Sequence, residues 1–154
     1  MTAELPRKVV VGSDHAGFAL KEQLKAWLLD RDVAVDDVGT HSLESTDYPQ
    51  YAHEVALRVS ASESQVLGLL ICGTGLGVSY AANRHPGIRA ACCSHVFTAR
   101  MARQHNDANV LCLGARVVGP GLAEELLAAF LGTDFEGGRH QRRVDLIERP
   151  STDS

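Results

Sequence analysis

Cys72-Gly73-Thr74-Gly75-Leu76-Gly77 sets a thiol directly before a glycine-rich turn. The apolar run ahead of it, Val66 to Ile71, predicts a buried strand. The stretch behind it, Val78-Ser79-Tyr80-Ala81-Ala82-Asn83, starts a helix. A strand-to-helix turn of this kind leaves backbone N–H groups free to hold an oxyanion. A helix N-terminus also favours a thiolate, which gives Cys72 the placement of a base or nucleophile. Cys92, Cys93 and Cys112 lie in apolar stretches without polar company and read as small core residues.

A second loop has the same chemical promise. Gly12-Ser13-Asp14-His15-Ala16-Gly17 follows the strand Val9-Val10-Val11. A lone Asp at a helix start is more often an N-cap than a catalyst, and a lone His there is more often a first-turn surface residue. Their position changes that weighting. In a parallel α/β sheet, ligands bind at the carboxyl ends of the strands. If strands one and three are neighbours, as in the order 2-1-3-4-5, Asp14, His15 and Cys72 converge.

Neither glycine loop matches a standard nucleotide-binding pattern, which weakens that reading without excluding it. Gly12-x-x-x-x-Gly17 is followed by Phe18, not by the Lys-Ser/Thr of a P-loop. Gly73-x-Gly75-x-Gly77 lacks the third glycine of the dinucleotide spacing. Asp36 and Asp37 keep a nicotinamide-dependent oxidoreductase as a weaker alternative.

His105-Asn106-Asp107 precedes the fifth strand, which places it at the amino end of the sheet, away from Cys72. The domain would be some ~25 Å across, from a radius of gyration near ~15 Å at this length. If both serve one site, His105 must come from a second subunit. Taken alone, His105 and Asn106 simply end a helix, where a cation is favourable. Arg139-His140-Gln141-Arg142-Arg143 puts Arg139 and Arg143 on one helical face. Such a run is usually a solvated surface; its functional reading is a phosphate clamp, because guanidinium forks match phosphate oxygens. Arg116, at the carboxyl rim after strand five, could join that clamp.

The elements that must position these residues alternate. Leu20, Leu24, Trp27 and Leu28 mark a first helix, Val33 to Val38 a second strand, and Thr40 to Gln50 a polar loop. Ala52, Val55, Ala56 and Val59 mark a second helix. Ile88 to Cys93 is a fourth strand, Val96 to Gln104 a helix, and Val110 to Leu113 a fifth strand. Leu122, Leu126, Ala129 and Phe130 share a helix face, and a last helical segment spans about 138–148. Five strands separated by helices predict one α/β domain over residues 1–154, a doubly wound three-layer sandwich on a five-stranded parallel sheet, Rossmann- or flavodoxin-like. The first residues and the tail from about Glu148 read as unordered.

Composition agrees with a soluble globular chain of 154 residues, 45% hydrophobic and 22% charged. A net charge of −4 argues against nucleic acid or anionic membrane as partner. The apolar runs are too short to span a bilayer, and the N-terminus lacks an apolar leader. Four cysteines without C-x-x-C pairs fit reduced thiols in a cytoplasm.

Together these residues resemble the B-type ribose-5-phosphate isomerases, the family that also contains galactose-6-phosphate isomerase subunits. The likeness runs from about Val9 to Ile147. It rests on the two glycine loops, Thr46-Asp47-Tyr48-Pro49, Ala81-Ala82-Asn83, Arg103-Gln104-His105-Asn106-Asp107, Gly114-Ala115-Arg116-Val117-Val118-Gly119 and Gly137-Gly138-Arg139-His140-Gln141-Arg142-Arg143. The resemblance implies reversible isomerisation of ribose 5-phosphate and ribulose 5-phosphate without metal or cofactor. It implies Cys72 as the base, His105 for ring opening, Asp14 as proton shuttle and Thr74 among the catalytic residues. The backbone of Gly73, Thr74, Gly75, Leu76 and Gly77 would hold the enediolate. Asn106 would contact the sugar, and His15, Arg116, Arg139, His140 and Arg143 the phosphate. Some relatives carry a carboxylate base just after the glycine loop; here that position is Val78, which marks the cysteine branch. The resemblance implies a dimer, or a dimer of dimers, with sites shared between subunits, and the full constellation in one chain favours a homo-oligomer. Isomerisation of another sugar phosphate (allose, galactose or a four-carbon sugar) and sensing of a sugar phosphate or nucleotide without turnover are the alternatives.

Overall fold

The computed structural model describes residues 4–62 and 65–149. Its elements run β1 (Lys8–Ser13), α1 (Phe18–Leu29), β2 (Ala34–Asp37), α2 (Tyr48–Ser60), β3 (Val66–Cys72), α3 (Leu76–Ala82), β4 (Ala90–Cys92), α4 (Val96–Asn106), β5 (Val110–Gly114), α5 (Pro120–Leu131) and α6 (Arg139–Glu148). All strand pairs are parallel. The helices cover both faces, which is the α/β sandwich that the alternating pattern predicts.

The pleat divides the core. Leu69 and Ile71 of β3 and Leu111 and Leu113 of β5 pack toward α1, α4 and α5. Leu70, Cys72, Val110 and Cys112 point the other way, toward α2 and α3. The side chain of Cys72 therefore leaves the sheet on the α2–α3 side.

The sheet order is β2-β1-β3-β5-β4, not 2-1-3-4-5. Strands one and three are neighbours, as the convergence of the two loops requires, but the last two strands are exchanged. Val110–Gly114 is buried at every residue, whereas Ala90–Cys92 is short and half exposed. The more apolar strand takes the inner place, and the short one ends the sheet, where a short edge limits unwanted pairing. Cys92 is consequently exposed, against its reading as a core residue. The α5 face also differs: Ala123, Leu126, Leu127, Phe130 and Leu131 are buried, while Leu122 is exposed and Ala129 is at the margin. The two faces lie about one helical position apart, because Leu127 and Leu131 pull the stripe round.

The final helix ends at Glu148, which is held by Arg89. The expectation of an unordered tail from about Glu148 fails at its start, because Glu148 closes α6 and Arg149 follows it; for residues 1–3 and those beyond Arg149 the reading lies outside the described residues. Among the described residues, no helix is long and apolar enough to cross a membrane.

Candidate active site

At the carboxyl end of the sheet, β1 and β3 deliver their loops side by side. Asp14 donates its N–H to the Ile71 carbonyl at 3.3 Å, which ties the first loop to the strand that ends in Cys72. Gly17 lies so close to that strand that a Cβ there would be 2.5 Å from the Ile71 oxygen. Asp14 is 6% exposed, and its Oδ1 accepts the Gly17 N–H at 3.1 Å. Asp14 thus closes the turn ahead of α1 and does not cap the helix as expected of a lone Asp, since the N-cap is Gly17. This bond occupies one carboxylate oxygen and leaves Oδ2 as a second acceptor.

His15 is oriented from a distant segment. Its Nδ1 accepts the Thr46 N–H at 3.2 Å, so in the neutral ring the proton sits on Nε2. Two residues on, Tyr48 lies against the glycine loop, and a Cβ on Gly77 would fall 2.4 Å from its ring. The Thr46-Asp47-Tyr48-Pro49 motif thereby braces both loops.

Cys72 is the last residue of β3 and is buried. Gly75 donates its N–H to Cys72 Sγ at 3.2 Å. Gly75 does so at φ +81°, a left-handed conformation that suits glycine. A Cβ there would also sit 2.9 Å from the Leu113 carbonyl carbon and 3.0 Å from Cys92 Sγ. Thr74 Oγ1 accepts the Leu76 N–H at 3.3 Å, which leaves its own O–H proton to donate. The N–H groups of Gly77 and Val78, in the first turn of α3, have no intrahelical partner and are the donors left for an oxyanion. Arg116 joins this end: its N–H donates to the Gly73 carbonyl at 3.0 Å, and its Nη1 would be 3.4 Å from a Cβ on Gly73.

The other thiols are poor bases. Burial pushes Cys93 up to about 11 and Cys112 well above the usual thiol range. Burial, and secondarily the proximity of Cys72, raises Cys92. Cys92 Sγ is 3.7 Å from the Thr74 carbonyl, so this exposed edge thiol supports the glycine loop from the side.

His105 and Asn106 close α4 at the opposite end of the sheet. Cys72 is level with Gly114, the last residue of β5, while His105 precedes Val110, the first. The four steps from Val110 to Gly114 alone span about 13 Å. The His105 ring stacks on His140 of the same chain, with centroids 4.4 Å apart and 12° between planes. Arg139, His140 and Arg143 on α6 therefore belong to the His105 end. Within one chain Arg116 does not join them, because β5 carries it to the far rim.

Glu136 and Gln104 complete this second cluster, and neither was a sequence candidate. Glu136 Oε1 accepts from Gln104 Nε2, and its Oε2 lies 3.3 Å from His140 Nε2. Its N–H also docks on the Gln104 carbonyl at 3.0 Å. The Gln104 amide first, then the nearby His105 and His140 rings, hold its carboxyl below the ordinary range. One atom each of His105, Glu136 and His140 lies within 4.8 Å of the others. The stacked rings hold their in-plane lone pairs in two separate planes, so the trio is not arranged around one ion. The only sequence signals for Glu136 were its spacing of four from His140 and its place beside the basic run.

The site brings together a thiol with a backbone N–H on it and a buried carboxylate, with no acyl-transfer triad among the described residues. The fold that carries it is a doubly wound α/β sandwich. The chain belongs to the Ribose/Galactose Isomerase family, whose model matches residues 9–147. It is 53% identical over 141 residues to ribose-5-phosphate isomerase B of Escherichia coli, covering 92% of this chain and 94% of that protein. Its structure is similar to that of Clostridium thermocellum ribose-5-phosphate isomerase B, with TM-score 0.89, 50% identity and coverage of 92% and 95%. It is also similar to the Mycoplasma genitalium ribose-5-phosphate isomerase B with bound ribulose-5-phosphate, with TM-score 0.90, 41% identity and coverage of 96% and 97%.

Proposed function

We propose that this enzyme interconverts ribose 5-phosphate and ribulose 5-phosphate through an enediolate, in a site built from two copies of the chain. The observation that carries the reading is the Gly75 N–H on Cys72 Sγ, at the head of a loop with further free N–H donors. A proton alpha to a carbonyl is weakly acidic, so base and oxyanion donors must act together. Oxyanion donors are worth about 3–4 kcal/mol each on removal, and a positioned base about 10²–10⁴-fold.

The steps follow from the residues. His105, with a partner copy bringing it to the thiol, helps open the furanose ring. Cys72 takes the proton from C2, and the negative charge on O1 rests on the N–H groups of Gly77 and Val78 with the Thr74 hydroxyl. Asp14, through Oδ2, carries the proton between the two sugar oxygens. Cys72 then returns its proton to C1. Asn106 contacts the sugar hydroxyls. His15, whose Nε2 proton Thr46 selects, joins Arg116, Arg139, His140 and Arg143 at the phosphate.

The two-ended layout supports a homodimer, because Cys72 and His105 cannot meet within one chain. The absence of a membrane-spanning helix among the described residues is compatible with a cytoplasmic enzyme. Incubation with ribose 5-phosphate in D₂O tests the reading. Isomerisation with deuterium entering at C1 or C2 is expected; binding without exchange would make the protein a sensor instead.

A further inference from the structure

Arg89 lies just ahead of β4, at the amino end of the sheet and outside every motif discussed above. Its backbone is pinned on both sides: its N–H donates to Asn109 Oδ1 at 2.8 Å, and its carbonyl accepts the Asn109 N–H at 3.0 Å. Its side chain is only 16% exposed. One edge of the guanidinium serves α4. Nε donates to the carbonyls of Asn106 at 2.9 Å and Asp107 at 3.1 Å, and Nη2 donates to the Asp107 carbonyl at 2.9 Å. A helix leaves its last carbonyls without partners, and a cation there is favourable. The turn capped in this way is the one that carries His105 and Asn106.

The other edge serves α6. Nη1 donates to Oε1 of Glu148, the last residue of that helix, and Glu148 Oε2 accepts the Gly87 N–H at 3.0 Å. Helix α6 buries only His140 and Val144, so packing holds it lightly. It is fastened at its start by the stack of His140 on His105 and at its end by Glu148 on Arg89. A planar fork can serve two edges at once, which a single ammonium cannot do.

We infer that Arg89 is a positioning residue: with Glu148 it fixes α6 against the end of α4, and so sets Arg139, His140 and Arg143 against His105 and Asn106. The inference rests on the reading of those residues as phosphate and sugar ligands. Loosening α6 should weaken phosphate binding equally in ground and transition states, which raises KM and spares kcat. Loosening the α4 cap as well should also reach the ring-opening histidine.

The test combines kinetics on ribose 5-phosphate, inhibition by inorganic phosphate, and hydrogen exchange read by mass spectrometry, for wild type, Glu148→Gln and Arg89→Lys. Glu148→Gln should raise KM and the phosphate inhibition constant together by about three- to tenfold, with kcat within about twofold, for the loss of one partly buried charge-assisted bond. Exchange should quicken in residues 139–148. Arg89→Lys should do the same, lower kcat about tenfold, and quicken exchange at the end of α4. Faster exchange with an unmoved KM would make the clamp merely structural and overturn the inference. Unchanged exchange in both variants would overturn it too. A wild-type protein with no turnover would overturn the underlying reading and this inference with it, whereas an active one with unmoved constants overturns this inference alone.

Discussion

Gly75 donates its backbone N–H to Cys72 Sγ at 3.2 Å. This contact fixes the sulfur at the head of the glycine loop, where the proposed base must sit. Cys72→Ala should lower kcat for ribose 5-phosphate by at least about 10²–10⁴-fold, the usual contribution of a positioned base. Circular dichroism should be unchanged, because the side chain removed is small. Full activity in the variant would remove Cys72 from the base role.

Gly75→Ala tests the loop rather than the thiol. The new Cβ would meet the Leu113 carbonyl carbon at 2.9 Å, in a backbone with φ +81°. Neither backbone can yield cheaply, so the turn must shift and carry its N–H groups off the sulfur. Left-handed strain alone costs about 1–2 kcal/mol. We expect a modest fall in the unfolding midpoint and a fall in kcat of more than about tenfold, from misaligned donors. An unchanged kcat with a lowered midpoint would separate the turn from catalysis.

Much of this was legible in the sequence. The alternation of apolar runs specified a parallel sheet, and the glycines around Cys72 marked its turn. Chain order alone put His105 at the opposite end from the thiol. Other features do not show in local pattern. Which of two strands lies inside depends on competition between Val110–Gly114 and Ala90–Cys92 for burial, and that competition also decided the exposure of Cys92. The face of α5 turned by about one position because Leu122 and Leu127 compete for the same stripe. The bond from Thr46 to His15 and the ion pair of Arg89 with Glu148 join residues far apart in the chain, where no periodicity announces them.

The cysteines should be distinguishable by pH. Burial, with a further contribution from Cys72, raises the Cys92 thiol above its ordinary 9.0, so little of it is thiolate at pH 7.5. Cys93, at about 11, and the fully buried Cys112 lie further up. Iodoacetamide reacts with thiolate, so labelling read by mass spectrometry should be slow at Cys92 at pH 7.5 and quicken strongly at pH 9.5. Cys93 and Cys112 should stay unlabelled at both until the protein is denatured. Rapid labelling of Cys93 at pH 7.5 would contradict the buried environment described for it.

His105→Ala should separate ring opening from proton transfer. An aldotetrose 4-phosphate cannot close a furanose, because the hydroxyl it would use carries the phosphate. If His105 opens the ring, the variant should lose about 10²-fold or more on ribose 5-phosphate and much less on the tetrose, since general catalysis is lost for one step only. The ratio of the two specificity constants is the measurement. Equal losses on both substrates would place His105 in binding or in the proton transfer itself.

Lys21 is fully buried, and its Nζ donates to Asp37 Oδ2 at 2.6 Å, with Lys25 Nζ on the same oxygen at 2.8 Å. Asp37 Oδ1 accepts the Gly39 N–H at 2.9 Å, and the Gly39 carbonyl accepts the Ser13 N–H at 2.8 Å. The buried charge thus supports the strand end that leads into Asp14. Burial alone would raise the Asp37 carboxyl; Lys21, Lys25 and the Gly39 N–H outweigh it and hold the group below its ordinary 3.8. A carboxyl depressed in the folded state adds stability above its unfolded value, and that stability is lost as pH falls through the folded value. Asp37→Asn should therefore cost about 3 kcal/mol at pH 7, at the low end for a broken buried pair because Glu22 still holds Lys21. Lys21→Met should cost less, since it removes the buried charge and leaves Lys25 on Asp37. Urea midpoints at pH 7, 5 and 3 are the check: the gap between wild type and Asp37→Asn should hold from pH 7 to 5 and narrow at pH 3. A gap that does not change with pH would mean that the variant acts through shape and not through the ion pair.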